Sequence, residues 1–324
     1  MALLDDIRSV ISKELDEFEA RFRQSMKSSV PLLDKITYYL VKRKGKQLRP
    51  MLVFLSAGMA GQINDSTYRA AALIELLHTA TLVHDDVVDE AYRRRGFFSI
   101  NALWKNKIAV LVGDYLLSKG LLLAVQNKDF SLLEKVSEAV QKMSEGELLQ
   151  IEKTRRLDIK EEEYFEIIRC KTASLVAACC VCGAISARID EDKVNKTWQM
   201  GEALGIAFQI KDDLLDYGMG KNTGKPVGAD IKEKKISLPL IYALQKAEYA
   251  KKRQIINMIK NEHKKAATID KVFNFVNESG GINYANEKML EYREKSRAMV
   301  KELPDSAYKK SFEDLITFVT EREN

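Results

Sequence analysis

Two short acidic stretches, Asp85-Asp86-Val87-Val88-Asp89 and Asp212-Asp213-Leu214-Leu215-Asp216, carry the side chains of this 324-residue chain best suited to chemistry. If each lies on a helix, its first and last aspartates are four residues apart on one face, with the middle one slightly around the cylinder. Each helix then presents three carboxylates toward one point. Like charges at that spacing repel by about 0.2–0.5 kcal/mol per pair, and by more where Val and Leu desolvate them. A counter-cation relieves that cost. An all-oxygen donor set with room for phosphate oxygens and water suits magnesium, which takes one or two carboxylates per ion and completes its octahedron with substrate. Thr81-Leu82-Val83-His84 leads into the first stretch and Ala207-Phe208-Gln209-Ile210 into the second, so neither reads as a solvated charge run.

The elements that must position these acids are helices. With 16 Gly and 5 Pro, long stretches carry no breaker. Apolar residues recur at helical spacing at Phe312, Leu315, Ile316 and Val319, and nearly so at Leu132, Val136, Val140 and Met143. No convincing period-two alternation occurs. The pattern predicts an all-α chain with on the order of a dozen helices. Candidate breaks lie at residues 61–66, 126–131, 218–228 and 279–283, and none resembles an interdomain linker, so residues 1–324 are expected to form one domain.

Several function classes are excluded at this level. The longest apolar run, Leu175 to Ile185, is too short to span a bilayer, and the acidic start Asp5-Asp6 is unlike a secretory signal. A soluble, cytoplasmic protein is expected. Cys170, Cys179, Cys180 and Cys182 fall together in one apolar helix without nearby His, which predicts buried reduced thiols rather than a zinc site or disulfides. A net charge of +5 does not indicate nucleic-acid binding. The basic runs at residues 42–49, 93–95 and 232–235 instead adjoin helix ends or the acidic motifs.

Opposed carboxylate triads holding several Mg2+ ions, with Lys and Arg around them, describe a pocket for a diphosphate ester. Metal and cations stabilise the charge that develops as the carbon–oxygen bond breaks. No Ser-His-Asp order, GxSxG elbow or HExxH is present, so ionisation needs no protein nucleophile.

These residues and their order resemble the trans-isoprenyl diphosphate synthases of the polyprenyl synthetase family. Gly45-Lys46-Gln47-Leu48-Arg49-Pro50 is similar to the family's GKxxRP, and Arg94-Arg95-Gly96 follows the first motif at the expected interval. Lys171-Thr172 matches its KT element; Phe208 to Asp213 and Gly224-Lys225-Pro226-Val227-Gly228 complete the series. The departures are Lys44 before Gly45, Phe98 where a Pro often stands, and Lys234 and Ser237 in place of a common Gly and Thr. They concern loop shape.

The resemblance implies one large all-α bundle of the isoprenoid synthase type around a central cavity. It implies a prenyltransferase in which Asp85, Asp86, Asp89, Asp212 and Asp216 hold three Mg2+ ions against the diphosphate of an allylic substrate. Arg94, Lys171, Lys225 and Lys235 would grip that diphosphate, and Lys46, Arg49, His78 and Arg95 would hold isopentenyl diphosphate beside it. Thr172 and Gln209 would orient the allylic diphosphate and the cation it leaves. His78 stands seven residues before Asp85, two turns along one helix face. A homodimer, with at most transient membrane contact and no nucleic acid, completes the expectation.

Small residues at Ala80 and Thr81, one turn and a little more before the first motif, leave room for a growing chain, with Leu77 and Ile74 further down. By resemblance, short-product synthases place an aromatic ring there. The expected product is therefore medium to long, octaprenyl being the single best choice. The alternatives are a farnesyl or geranylgeranyl diphosphate synthase, a class I terpene cyclase, a non-catalytic partner subunit and a metal-binding scaffold.

Overall fold

The computed structural model describes residues 2–42, 45–94, 97–218 and 228–322. Helix follows helix: α1 (Ala2–Ser9), α2 (Ser12–Ser25), α3 (Pro31–Lys42), α4 (Leu48–Ala60) and α5 (Asp65–Val88) precede a minimal ribbon, β1 (Arg93–Arg94) and β2 (Phe97–Phe98). There follow α6 (Ile100–Gln126), α7 (Phe130–Arg156), α8 (Glu161–Ile168), a π-helical turn (Arg169–Ala173), α9 (Ser174–Ser186) and α10 (Glu191–Asp216). Then come α11 (Ala229–Lys232), α12 (Leu238–Lys246), α13 (Tyr249–Glu262), α14 (Ala266–Glu278), α15 (Gly281–Lys301) and α16 (Ala307–Glu321). The chain is all-α, as its pattern predicts. The ribbon is antiparallel, Arg93 opposite Phe98 and Arg94 opposite Phe97.

Two compact units emerge, one comprising Met1–Glu138, Ala178–Thr197 and Asp305–Phe312, the other Ala139–Ala177, Trp198–Pro304 and Glu313–Asn324. In the first, α5 begins at a capping box: the Asn64 side chain accepts from the Ser66 amide at 2.9 Å, and Thr67 Oγ1 accepts from the Asn64 amide at 3.2 Å. Along its length α5 lies against α6, which offers Ala109, Gly113 and Gly120 as a small-residue strip. A Cβ at Gly113 would stand 2.1 Å from His84 Nε2, and one at Gly120 3.3 Å from methyls of Leu73 and Leu77.

In the second unit α10, α12, α14 and α15 share an apolar core that includes Ile206, Ile210, Leu214, Leu240 and Val272. Close approach recurs here. A Cβ at Gly205 of α10 would stand 2.5 Å from the Ala173 Cα in the π-helical turn, and one at Gly281 2.2 Å from the Pro239 carbonyl oxygen.

The expected apolar face of α16 is buried at Phe312, Leu315, Ile316 and Val319. On α7 the buried face is rotated by one residue after Val136: Ala139 and Gly146 are buried while Val140 and Met143 are half-buried, because Ser174 of α9 meets Ala139 and Cys170 of the π-helical turn meets Gly146. Two other expectations need correction. The cysteines do not share one helix, since Cys170 lies half-buried in the π-helical turn while the other three are buried in α9. Two helical stretches are also long and apolar enough to cross a membrane, Ile100–Gln126 with 33% of its apolar window buried and Glu161–Ser186 with 78%. In the former, Asp114 and Lys119 are the only charges between Ile108 and Val125.

Gly205→Ala should lower stability by about 1–3 kcal/mol, since the new methyl meets backbone that cannot rotate away. Urea unfolding should show a lower midpoint at unchanged slope.

Candidate active site

The first acidic motif ends α5 in a Schellman turn. Glu90 adopts a left-handed φ of 50°, its amide reaches the Val87 carbonyl at 3.3 Å, and the Ala91 amide reaches the Asp86 carbonyl at 2.9 Å. The chain then returns through the ribbon, where Ser99 Oγ donates to the Ala91 carbonyl at 2.5 Å and Asn101 Nδ2 to that of Asp86 at 3.0 Å. Asp85 is half-buried, Asp86 buried and Asp89 exposed. His84 is fixed beside them, Nε2 lying 3.2 Å from the Val110 carbonyl and 3.4 Å from Asp114 Oδ1.

The second motif also ends its helix, α10, at the left-handed Gly218 with φ 82°, whose amide reaches the Leu215 carbonyl at 3.1 Å. Asp212 is half-buried, Asp213 buried and Asp216 half-buried, repeating the outer–inner–outer order of the first copy. Asp212 pairs with Arg322, whose guanidinium carbon lies 4.1 Å from the Phe208 ring centroid. Asp216 accepts the backbone amides of Ala229 at 2.9 Å and Asp230 at 3.1 Å. Asp213 accepts from the Tyr164 hydroxyl at 2.6 Å and from Gln209 Nε2 at 2.9 Å.

Both triads thus stand at helix C-termini, where the backbone dipole is already negative and a cation rather than an anion is favoured. The strain is visible in the second copy. Burial pushes the Asp213 carboxyl up to about 6, against the donors Tyr164 and Gln209. Burial, reinforced by the charges of Asp213 and Asp216, pushes Asp230 up to about 8.

The expected cationic groups fall into two sets. In the first unit, Arg49 on α4 makes a bidentate pair with Glu75 on α5, Nε at 2.7 Å and Nη2 at 3.2 Å; Lys46 is exposed and His78 half-buried. Ala80, Leu77 and Ile74 are buried; Ala80 belongs to an apolar cluster with Leu76, Val83, Ala109, Val112 and Leu116, while Thr81 is half-buried and donates to the His78 carbonyl at 2.9 Å. In the second unit, the π-helical turn carries Lys171, which pairs with Glu147 and donates to Gln150 Oε1 at 3.2 Å, and Thr172, which donates to Gln209 Oε1 at 2.7 Å. Lys235 pairs with Glu233 at 2.5 Å. Arg95 and Lys225 lie outside the described residues, as does the Arg94 side chain.

Glu147, Gln150, Tyr164, Asp230 and Arg322 belong to this setting and the sequence pattern does not single them out. Only Gly146-Glu147-Leu148-Leu149-Gln150, a glycine followed by two polar residues one turn apart, leaves a trace: a Cβ at Gly146 would stand 2.8 Å from the Cys170 Cβ.

Among the described residues no three His, Cys, Asp or Glu side chains are gathered tightly enough to hold a metal ion together. The donor set nevertheless fits a hard divalent cation: it is all carboxylate and it sits at two negative helix ends, and beside it burial holds the Asp213 and Asp230 carboxyls above the usual carboxylate range.

Residues 30–276 match the Polyprenyl synthetase family. The chain belongs to that family. It is 33% identical to octaprenyl diphosphate synthase of Escherichia coli over 321 residues, covering 99% of each. It is 31% identical to a short chain isoprenyl diphosphate synthase of Methanothermobacter thermautotrophicus over 326 residues, covering 98% of this chain and 99% of that one. The crystal structure of a polyprenyl synthase from Caulobacter crescentus CB15, complexed with calcium and isoprenyl diphosphate, is similar at TM-score 0.91 and 31% identity, covering 99% of this chain and 98% of that one. This polyprenyl synthetase is therefore a prenyl diphosphate synthase, an all-α trans-prenyltransferase acting on isoprenoid diphosphates.

An aspartate whose folded pKa is raised binds its proton more tightly when folded, so it stabilises at low pH and loses that contribution as pH rises from the unfolded value through the folded one. For Asp230 the window runs from 3.8 to about 8. Asp230→Asn removes the penalty. In metal-free protein its stability relative to wild type should rise by on the order of 1–3 kcal/mol between pH 5 and pH 8, read from denaturation midpoints at each pH.

Proposed function

We propose that this synthase makes a medium- to long-chain all-trans polyprenyl diphosphate, octaprenyl diphosphate being the best single product. The observation that carries the length is the pair of small side chains at Ala80 and Thr81, with Leu77 and Ile74 continuing the same buried face of α5 below them.

The reaction is head-to-tail elongation. The allylic carbon–oxygen bond breaks, the isopentenyl double bond supplies the electron pair for the new carbon–carbon bond, and a proton leaves to the departing diphosphate. Asp85, Asp89 and Asp212 present the accessible carboxylates, and Asp86 and Asp216 complete the set from more committed positions, Asp86 buried and Asp216 on two backbone amides. Bound there, three Mg2+ ions supply charge stabilisation to the leaving group. Lys171, Lys225, Lys235 and Arg94 grip the allylic diphosphate; Lys46, Arg49, His78 and Arg95 hold isopentenyl diphosphate. Glu75 pre-forms the Arg49 fork and Glu147 with Gln150 pre-forms the Lys171 contact, so binding energy is not consumed in ordering either side chain.

A second copy is the partner proposed for α6. Leu103, Val110, Leu111, Leu121, Leu122 and Val125 are exposed along it, Leu111 at 55% and Leu122 at 56%, a face too apolar to leave in water. Cytoplasmic location is supported by the four free thiols.

Incubating the protein with farnesyl diphosphate, isopentenyl diphosphate and Mg2+ should give products near eight isoprene units by chromatographic sizing. Ala80→Phe should shorten them to about four, one addition to the farnesyl primer; unchanged length would remove the α5 argument, and a wild-type product of geranylgeranyl size would establish the short-chain alternative. Leu111→Glu with Leu122→Glu should halve the mass seen by light scattering of the purified protein.

A further inference from the structure

We propose that Tyr164 is a positioning residue of the transfer site: through Asp213 and Gln209 its hydroxyl fixes the direction of the Thr172 hydroxyl. The four side chains form one string across three elements of the second unit. Tyr164 on α8, 5% exposed, donates to Asp213 Oδ2 at 2.6 Å. Gln209, one turn before Asp213 on α10, donates from Nε2 to Oδ1 at 2.9 Å, and Thr172 of the π-helical turn donates to Gln209 Oε1 at 2.7 Å. The string runs from a buried anchor, Tyr164 with Asp213, to a half-buried end, Gln209 with Thr172.

Its polarity has one solution. Asp213 accepts the phenol proton on Oδ2 and that of the Gln209 amide nitrogen on Oδ1. That choice turns Oε1 toward Thr172, whose single proton is then committed to it. Thr172 Oγ1 is left with lone pairs only and meets a ligand as an acceptor. Without the phenol, the Asp213 carboxylate loses its shortest donor and is free to rotate, so the Gln209 amide bonded to it shifts and the Thr172 hydroxyl loses its fixed direction. The Tyr164 ring itself packs edge-on against Phe165 at 5.4 Å between centroids, a contact that does not involve the hydroxyl. Packing and orientation are therefore separable in Tyr164→Phe.

The inference rests on the reading of Thr172 and Gln209 as contacts of the allylic substrate. Its test is a cycle of Tyr164→Phe and Gln209→Leu in the full chain, with circular dichroism for folding and steady-state kinetics on farnesyl diphosphate, isopentenyl diphosphate and Mg2+. In the wild-type background Tyr164→Phe should lower kcat about 10–100-fold, the scale of a small misplacement, with KM for isopentenyl diphosphate within about threefold. In the Gln209→Leu background the same change should cost less than about threefold. Equal losses in both backgrounds would mean that Tyr164 acts through general stability, and no loss in the wild-type background would mean that the hydroxyl orients nothing; either overturns the proposal. Should Tyr164→Phe fail to fold, Thr172→Val, Gln209→Leu and their double variant replace it: equal losses support the string and multiplying losses overturn it. A wild-type chain that transfers no prenyl group would overturn the function reading, and this inference with it, whereas transfer with a failed cycle overturns this inference alone.

Discussion

Each acidic triad stands where its helix is already negative. A carboxylate in the last turn forgoes the 0.3–1 kcal/mol or so that the dipole would grant it at the other end, and its neighbours at i and i+4 add about 0.2–0.5 kcal/mol of repulsion. Burial of Asp86 and Asp213 adds more, and the raised carboxyls of Asp213 and Asp230 are its signature in the second copy. Stability alone would not select this arrangement twice. The surroundings hold it in place: a Schellman turn with Glu90 in the left-handed region and the Ser99 and Asn101 bonds at the first copy, and two backbone amides on Asp216 at the second. A divalent cation converts the same cost into binding energy, so the fold stores what the chemistry uses.

The two copies are not used alike inside the protein. Their outer–inner–outer burial agrees, but the inner acid of the first copy ends in a tight turn while that of the second accepts a tyrosine and a glutamine. A pattern of five letters encodes the helix and its facing side chains, and says nothing about which acid meets a hydroxyl arriving from residue 164.

That limit describes what was legible beforehand. Helical periodicity reports burial wherever large apolar side chains make the contact, which is why Phe312, Leu315, Ile316 and Val319 were readable. It fails where small residues do so: on α7 the buried positions are Ala139 and Gly146, and the larger Val140 and Met143 lie to one side. The apolar run of α6 escaped because Asp114 and Lys119 interrupt it in sequence, whereas on a helix an exposed apolar face tolerates two charges. The acidic motifs, the lysine–threonine pair, and Lys46 with Arg49 at the start of α4 were legible because their chemistry is local in the chain. Their supports were not: Glu75 in the first unit, and Glu147, Gln150, Asp230 and Arg322 in the second, come from other elements than the residues they hold, and only packing within each unit brings them together.

The π-helical turn at Arg169–Ala173 shows how such a support is nevertheless written into the chain. A widened turn has no propensity signature; its residues read as continuous helix from Glu161 to Ser186. It survives because neighbouring backbones come unusually close to it. Gly146 on α7 meets Cys170 and the Lys171 amide, with a Cβ there standing 2.8 and 2.9 Å away, and Gly205 on α10 meets the Ala173 Cα. Neither position tolerates even a methyl without moving the turn, and the turn is what carries Lys171 to Glu147 and Gln150 and Thr172 to Gln209. Glycines in helix interiors each cost about 1 kcal/mol relative to alanine. Their presence in α7 and α10, against that cost, is the trace that the reactive turn leaves in the sequence.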